Sequence, residues 1–117
     1  MISRKYYDWV SDSSGDAEVA IPDFKGYFIA AVRSVPGNEG DRLTNCPAAA
    51  YDLKLINNKT GADVLNGEGA DRSHTVADDA IVATTNVTVP GAMTIEITLA
   101  NNTAGLEGRV YIDFIQA

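Results

Sequence analysis

The chain has 117 residues, of which 45% are hydrophobic, and it carries a formal net charge of −7. That length and apolar content predict one folded domain over residues 1–117 and exclude a disordered chain. The acidity argues against nucleic acid and anionic membranes as partners, because the nine lysine and arginine residues are scattered and form no basic run.

The cysteine content and the lack of long apolar runs indicate the cellular compartment that is expected for the chain. Cys46 is the single cysteine, so no intrachain disulfide can form, and assembly in a reducing compartment is expected. No window approaches the length of about 18 apolar residues that a transmembrane helix needs. The N-terminal residues mix charges with aromatic side chains and lack the apolar core of a secretory signal, so signal-directed export is not expected.

Turn residues recur roughly every ten positions with short alternating runs between them, which is typical of a β-sandwich or barrel. The first strand is predicted over Lys5–Ser11, with Tyr7 and Trp9 on one face. A turn over Asp12–Asp16 leads to a second strand at Glu18–Ile21. These two strands are expected to form a hairpin.

The middle of the chain combines two strands with two polar loops. Gly26–Val35 is apolar on both faces at its start, which predicts a central strand or one that faces a partner. Pro36–Pro47 is a polar loop, and loops of that length often make contacts. Ala50–Asn57 is predicted as a strand that continues briefly over Ala62–Leu65, and Asn66–His74 is expected to be an ordered loop.

The C-terminal part gives the clearest strands. Ile81–Ala83 and Asn86–Val89 are predicted as short extended pieces, whereas Met93–Leu99 and Arg109–Ile115 alternate strictly and are expected to pair as a hairpin. The sequence therefore predicts an all-β fold, a single antiparallel β-sandwich of about seven to nine strands, for which a jelly roll is one suitable arrangement.

The residue types that carry enzyme chemistry are scarce. His74 is the only histidine, and no serine lies in a nucleophile elbow, so a catalytic triad is not expected. Zinc would need several cysteine or histidine ligands at short spacing. Calcium is the least implausible metal, although a solvated polar loop is the commoner meaning of the cluster Asp63, Asn66, Glu68 and Asp71. No catalytic, metal-binding or cofactor-binding residue is predicted, and the chain is not expected to be an enzyme.

Aromatic side chains are concentrated near the N-terminus. Tyr6, Tyr7 and Trp9 lie within four positions of one another. A sugar-binding module presents rings on a sheet face, but packing in a core or a subunit interface is the commoner use. We therefore predict partner contacts at Tyr6, Tyr7 and Trp9, together with the loop Pro36–Pro47.

The stretch Tyr51–Ser73 contains a Tyr-Asp-x-x-Leu strand, a Gly-x-Asp-x-Leu step and a Gly-x-Gly-x-x-Arg loop that ends at Arg72. It resembles a group of small structural proteins from tailed-bacteriophage virions. Met93–Leu99 and Arg109–Ile115 fit the last two strands of that pattern. The resemblance implies a virion role and an oligomer of β-sandwich subunits, and it brings no catalytic residues.

These observations lead to one favoured function and two alternatives. We expect a capsid decoration or cement protein that assembles in the host cytoplasm, binds the major capsid protein or another virion protein, and forms a homo-oligomer, with a trimer favoured. A neck or tail accessory protein and a carbohydrate-binding or adhesion module are the alternatives. Arg72 is predicted to bind neighbouring carbonyls or a partner's carboxylate, and a solvent-exposed arginine without such contacts is the alternative.

Overall fold

The computed structural model describes residues 2–24, 26–37, 45–75, 79–81 and 87–116. The described residues form eight strands and no helix, which confirms the all-β prediction. The strands are β1 (Ile2–Val10), β2 (Asp16–Ile21), β3 (Tyr27–Pro36), β4 (Asp52–Asn57), β5 (Asp79–Ile81), β6 (Val87–Thr88), β7 (Met93–Thr98) and β8 (Glu107–Gln116).

The strands form two antiparallel sheets that enclose one core. The first sheet has the order β1-β8-β3-β5, with β6 also paired to β3, and the second has the order β2-β7-β4. In chain order the pair β3–β6 lies between β2 and β7, and the pair β2–β7 lies between β1 and β8. The same order of pairs results when a long antiparallel ribbon rolls up into a jelly roll. The predicted β-sandwich is therefore confirmed.

Two predicted hairpins are wrong. β1 and β2 lie in different sheets, and so do β7 and β8. Alternation in sequence determines which face of a strand is apolar but does not determine the neighbouring strand. Residues 99–106 separate β7 from β8, which exceeds a tight hairpin loop of about two to five residues and lets the chain cross between the sheets.

The core consists of the inward faces that the alternating patterns predict. The inward-facing apolar residues of β4, β7 and β8 are buried, because successive side chains of a strand point to opposite faces; they are Leu53, Leu55, Met93, Ile95, Ile97, Val110, Ile112 and Phe114. The rings of Trp9 and Tyr51 meet edge to face between the sheets, with centroids 5.5 Å apart. Tyr51 also shares a buried hydrogen bond with the Ser34 hydroxyl of β3, which links the layers.

β3 is central, as predicted, with β8 on one side and the short strands β5 and β6 on the other. Its register against β8 shifts between Ile29 and Ala31, so the strand carries a bulge. The bulge breaks the strict alternation expected for this segment, and Ile29 and Val32 are both buried.

Three further predictions concern loops and short pieces. Ala62–Leu65 is not a strand; it is a turn with one isolated bridge, between Ile56 and Asp63. The extended pieces are described at residues 79–81 and 87–88, while the predicted residues 82, 83 and 86 lie outside the described part of the chain. Most of the loop Pro36–Pro47, residues 38–44, lies outside it as well.

Candidate protein-binding face

The outward side of β1 and β8 carries a ladder of paired polar and aromatic side chains. The register places Arg4 opposite Asp113, Tyr6 opposite Tyr111, and Asp8 opposite Arg109. We call this surface the β1–β8 face, and it consists of Arg4, Tyr6, Asp8, Val10, Arg109, Tyr111 and Asp113. In each strand the arginine precedes the aspartate along the chain. Because the two strands are antiparallel, each cation faces an anion.

Arg109 organises one end of the β1–β8 face. Its guanidinium donates hydrogen bonds to both carboxylate oxygens of Asp8. The distances are 2.5 Å from Nε to Oδ1 and 3.0 Å from Nη2 to Oδ2. The Cζ atom lies 4.0 Å from the centroid of the Tyr6 ring, a distance at which a cation is attracted to the π face. The hydrogen bond with Asp8 raises the pKa of Arg109 further above its usual range, so the guanidinium remains charged.

Arg4 and Asp113 form the matching pair at the other end. Arg4 Nε lies 2.7 Å from Oδ1 of Asp113, and Nη2 lies 3.0 Å from Oδ2. The Asp113 side chain is only 12% exposed, whereas that of Arg4 is 53% exposed. The hydrogen bond from Arg4 lowers the pKa of Asp113, and the charges of Arg4 and Arg33 lower it further against the opposing effect of burial.

Tyr6 and Val10 are the exposed large hydrophobic side chains among the described residues, each with 58% exposure. Both point outward from β1, and Tyr6 is held between Arg109 and Tyr111. An exposed aromatic ring that is already ordered loses little conformational entropy when a partner covers it. Covering Tyr6 would therefore cost this face little conformational entropy.

The structure separates the three aromatic residues that the sequence groups together. Trp9 is 2% exposed and lies in the core, with its indole over Gly108, the residue opposite it on β8. Tyr7 is half-buried on the same inward side and packs against the core, and burial raises its pKa. Of these three residues Tyr6 is the one with an exposed side chain, so the hypothesis of a partner contact in this segment now depends mainly on Tyr6.

The β8 members of the β1–β8 face are not among the contact residues predicted from the sequence. Arg109, Tyr111 and Asp113 alternate with the buried apolar positions of β8, so their outward direction is readable from the sequence. The charge order of Arg4 and Asp8 on β1 mirrors that of β8. This match becomes visible only when β1 and β8 are known to be neighbours.

Arg72 lies elsewhere, beside the second sheet. It forms an isolated bridge with Tyr51, and its guanidinium donates to the carbonyl of Ala70 at 3.3 Å from Nε and 3.1 Å from Nη2. These contacts agree with the alternative in which Arg72 binds neighbouring carbonyls. The structure does not bring Arg72 to the β1–β8 face.

The Gly-x-Asp-x-Leu step is a device that shapes a loop. The carboxylate of Asp63 accepts hydrogen bonds from the backbone N–H groups of Leu55, Leu65 and Gly67, at 3.1, 3.0 and 2.9 Å. A Cβ atom on Gly69 would lie 2.0 Å from the Leu53 carbonyl oxygen, so only glycine permits this approach. Asp63 thus acts as a backbone cap.

Other chemistry-bearing residues are dispersed. His74 is half-buried, and no hydrogen bond or ion pair in the described part of the chain joins its ring to a carboxylate or hydroxyl. Within the described residues, no group of three or more histidine, cysteine or acidic side chains is placed to hold a metal ion. An open groove of about 540 Å³ lies beside β2 and β7 and is lined by Asp12, Asp16, Glu18 and Glu96, among others.

Comparisons with known proteins give no relative. No family model matches the chain, and neither a curated protein nor a solved structure is similar to it. Among the described residues, no helix is long and apolar enough to cross a membrane.

Proposed function

We propose that this chain is a structural protein of a bacteriophage virion, a decoration or cement protein that binds the major capsid protein. The observation that carries the proposal is the β1–β8 face, an ordered surface with exposed Tyr6 at its centre and ion pairs on both sides. A decoration protein needs a stable scaffold with such a surface and symmetric repetition on the shell.

Two features support a virion role in particular. The stretch Tyr51–Ser73 resembles small structural proteins of tailed phages, and the motif it carries shapes the loop at β4. The jelly-roll-like strand order is an architecture that viral capsid domains use. Lectin domains use it too, so the fold alone does not select the function.

The β1–β8 face would act through buried area and charge matching. Covering Tyr6 and Val10 removes apolar surface from water, at about 25 cal/mol per Å², within an interface of about 800 Å² per partner. Asp8 is 44% exposed and Arg4 53% exposed, so each can also contact a group of opposite charge on the capsid. Many such contacts over the shell would resist the outward pressure of packaged DNA.

A carbohydrate-binding or adhesion module is the second candidate, because Tyr6 and Tyr111 form an aromatic pair on a sheet face. A sugar ring stacks on an open aromatic face. The guanidinium of Arg109 covers one face of the Tyr6 ring at 4.0 Å, which favours a protein partner. A neck or tail position is a variant of the same structural role.

The test uses particles of the encoding phage assembled without this protein, to which purified protein is added back. Wild-type protein should bind to saturation at a fixed ratio to the major capsid protein. Tyr6→Ala should weaken the affinity about tenfold or more, because centrally placed aromatic residues dominate interfaces. Lys54→Ala, at an exposed position on the outward face of the second sheet, is the matched control and should bind like wild type.

Three results would overturn the proposal. Wild-type protein that does not bind the shells would exclude a decoration role, and binding confined to the neck or tail would move the protein there. Saturable binding on a glycan array that Tyr6→Ala abolishes would favour the adhesion module instead.

A further inference from the structure

The fold covers one of its sheet edges with its own chain. Residues 62–72 run along the open side of β4, where Leu53 N–H donates to the Gly69 carbonyl at 2.9 Å. Val64 N–H donates to the Leu55 carbonyl at 2.7 Å, and Arg72 exchanges two backbone bonds with Tyr51. An edge strand protected in this way is not a template for another strand.

The edge at β1 is different. β1 is nine residues long, pairs with β8 on one side, and forms the end of the first sheet. Among the described residues, no backbone hydrogen bond from a turn or loop reaches residues 2–10. A long strand whose edge no described loop covers presents a row of N–H and C=O groups that a second strand can pair with.

We propose that β1 pairs antiparallel with β1 of a second copy of this chain, about a two-fold axis that passes between the Tyr6 residues of the two copies. This register places Tyr6 opposite Tyr6 of the second copy, and Arg4 opposite Asp8 of the second copy. Ile2 then has the register position opposite Val10 of the second copy. The proposal is independent of the virion role, because it concerns the purified protein alone.

Charge complementarity argues for this register. Within one copy, Asp113 faces Arg4 and Arg109 faces Asp8. Across the axis, each row continues as Asp113, Arg4, Asp8 of the second copy and Arg109 of the second copy, with alternating sign. Opposite charges on directly opposed cross-strand positions stabilise a sheet, and like charges destabilise it. The tyrosine row, Tyr111 and Tyr6 of each copy, lies between the two charged rows.

Other registers lack this complementarity. An axis at Arg4, Lys5 or Asp8 would set that charge opposite its own copy. An axis at Tyr7 would place Arg4 opposite Val10 and leave both ion pairs without a counterpart across the contact. Directly opposed residues of an antiparallel pair have their side chains on the same face of the sheet. In a two-fold contact one residue must therefore lie opposite its own copy, and registers centred between two residues are excluded.

The resulting assembly is a closed pair in which two first sheets become one continuous sheet. Both copies of the β1–β8 face then lie on the same side, which doubles the surface offered to a partner. A two-fold contact produces a dimer, in place of the trimer that the sequence analysis favours.

The test measures the mass of the full chain in solution by size-exclusion chromatography with light scattering. Wild type should elute as a dimer that dissociates on dilution. Tyr6→Glu should be a monomer, because it sets two negative charges against each other on the axis, while within one copy it lies beside Arg109. Ala100→Glu, an equal change of charge at an exposed loop position, is the control and should remain dimeric.

A mixing experiment distinguishes a variant that is folded but monomeric from one that is monomeric because it misfolds. Tyr6→Glu and Tyr6→Lys should each be monomeric when alone and form a one-to-one heterodimer when mixed, as native mass spectrometry can show. The proposal is overturned if wild type is a monomer at the highest concentration that stays in solution, or a trimer. It is also overturned if Tyr6→Glu dimerises like wild type, or if the mixture shows no heterodimer.

Discussion

At the scale of single residues, the pair of Arg4 and Asp113 couples stability to pH. Asp113 is nearly buried and keeps its charge because Arg4 donates two hydrogen bonds to it. Its pKa in the folded chain is therefore below the ordinary value of 3.8. The stabilisation is fully present above that ordinary value and is lost as the pH falls towards the lowered one, because the unfolded chain binds the proton first.

We predict that Asp113→Asn flattens the acid end of the stability curve. Urea unfolding between neutral pH and about pH 2 should show the wild-type free energy of unfolding falling below pH 4, as linkage requires, with a shallower fall in the variant. Glu68→Gln, at an exposed loop position, is the control and should follow wild type. Parallel curves for Asp113→Asn and wild type would contradict this role for Asp113.

Neighbouring residues on β1 show what a sequence can predict at this scale. Alternation places Tyr7 and Trp9 together, and the structure has both on the inward side. Whether that side faces the core or a partner depends on Gly108, since a Cβ atom there would lie 2.3 Å from Cζ2 of Trp9. The room for Trp9 in the core therefore comes from a residue that is distant in sequence, and the local pattern of β1 could not reveal it.

At the scale of elements, the loop that covers β4 is held by one carboxylate. Asp63 binds the backbone of both the strand and the loop, so it fixes how residues 62–72 lie along β4. Strands such as β4 and β7, in which every second residue is apolar and buried, are predictable from the sequence. Their alternation alone shows which face is buried, whichever strand lies beside them. The turn at Asp63 was missed because its alternation looks like a strand.

We predict that Asp63→Ala lowers the free energy of unfolding by about 2 kcal/mol or more, since hydrogen bonds to a charged group are among the stronger ones. The measurement is urea unfolding at neutral pH. Glu68→Ala, in the same loop and exposed, should change the free energy by no more than about 0.5 kcal/mol. Equal effects of the two substitutions would show that the Asp63 carboxylate does not hold the loop.

At the scale of the whole molecule, the outward sides of the two sheets differ in charge. The outward side of the second sheet is acidic, with Glu18 directly opposite Glu96, and Asp16 and Asp52 nearby. The outward side of the first sheet has Arg4 and Arg109 balanced by their carboxylates, with exposed Tyr6 between them. This asymmetry supports an orientation in which the β1–β8 face meets a partner and the acidic side meets solvent.

Sequence reasoning reached the sandwich but only part of this surface. Tyr6 is a predicted contact because it belongs to the aromatic cluster of the predicted first strand, and its exposure emerges only from the structure. Its companions Arg109 and Tyr111 come from the other end of the chain, and their approach depends on the nested pairing of β1 with β8. Pairing between distant strands is set by the closure of the whole fold, which no local pattern encodes.

The most direct test of the proposed virion role is a cryo-electron microscopy reconstruction of purified particles of the phage that is proposed to encode this chain. The account predicts copies of this sandwich on the outside of the shell, with the β1–β8 face against the major capsid protein and the acidic face of the second sheet turned to solvent. Particles that lack the protein, or copies that meet the shell through the acidic face, would contradict it.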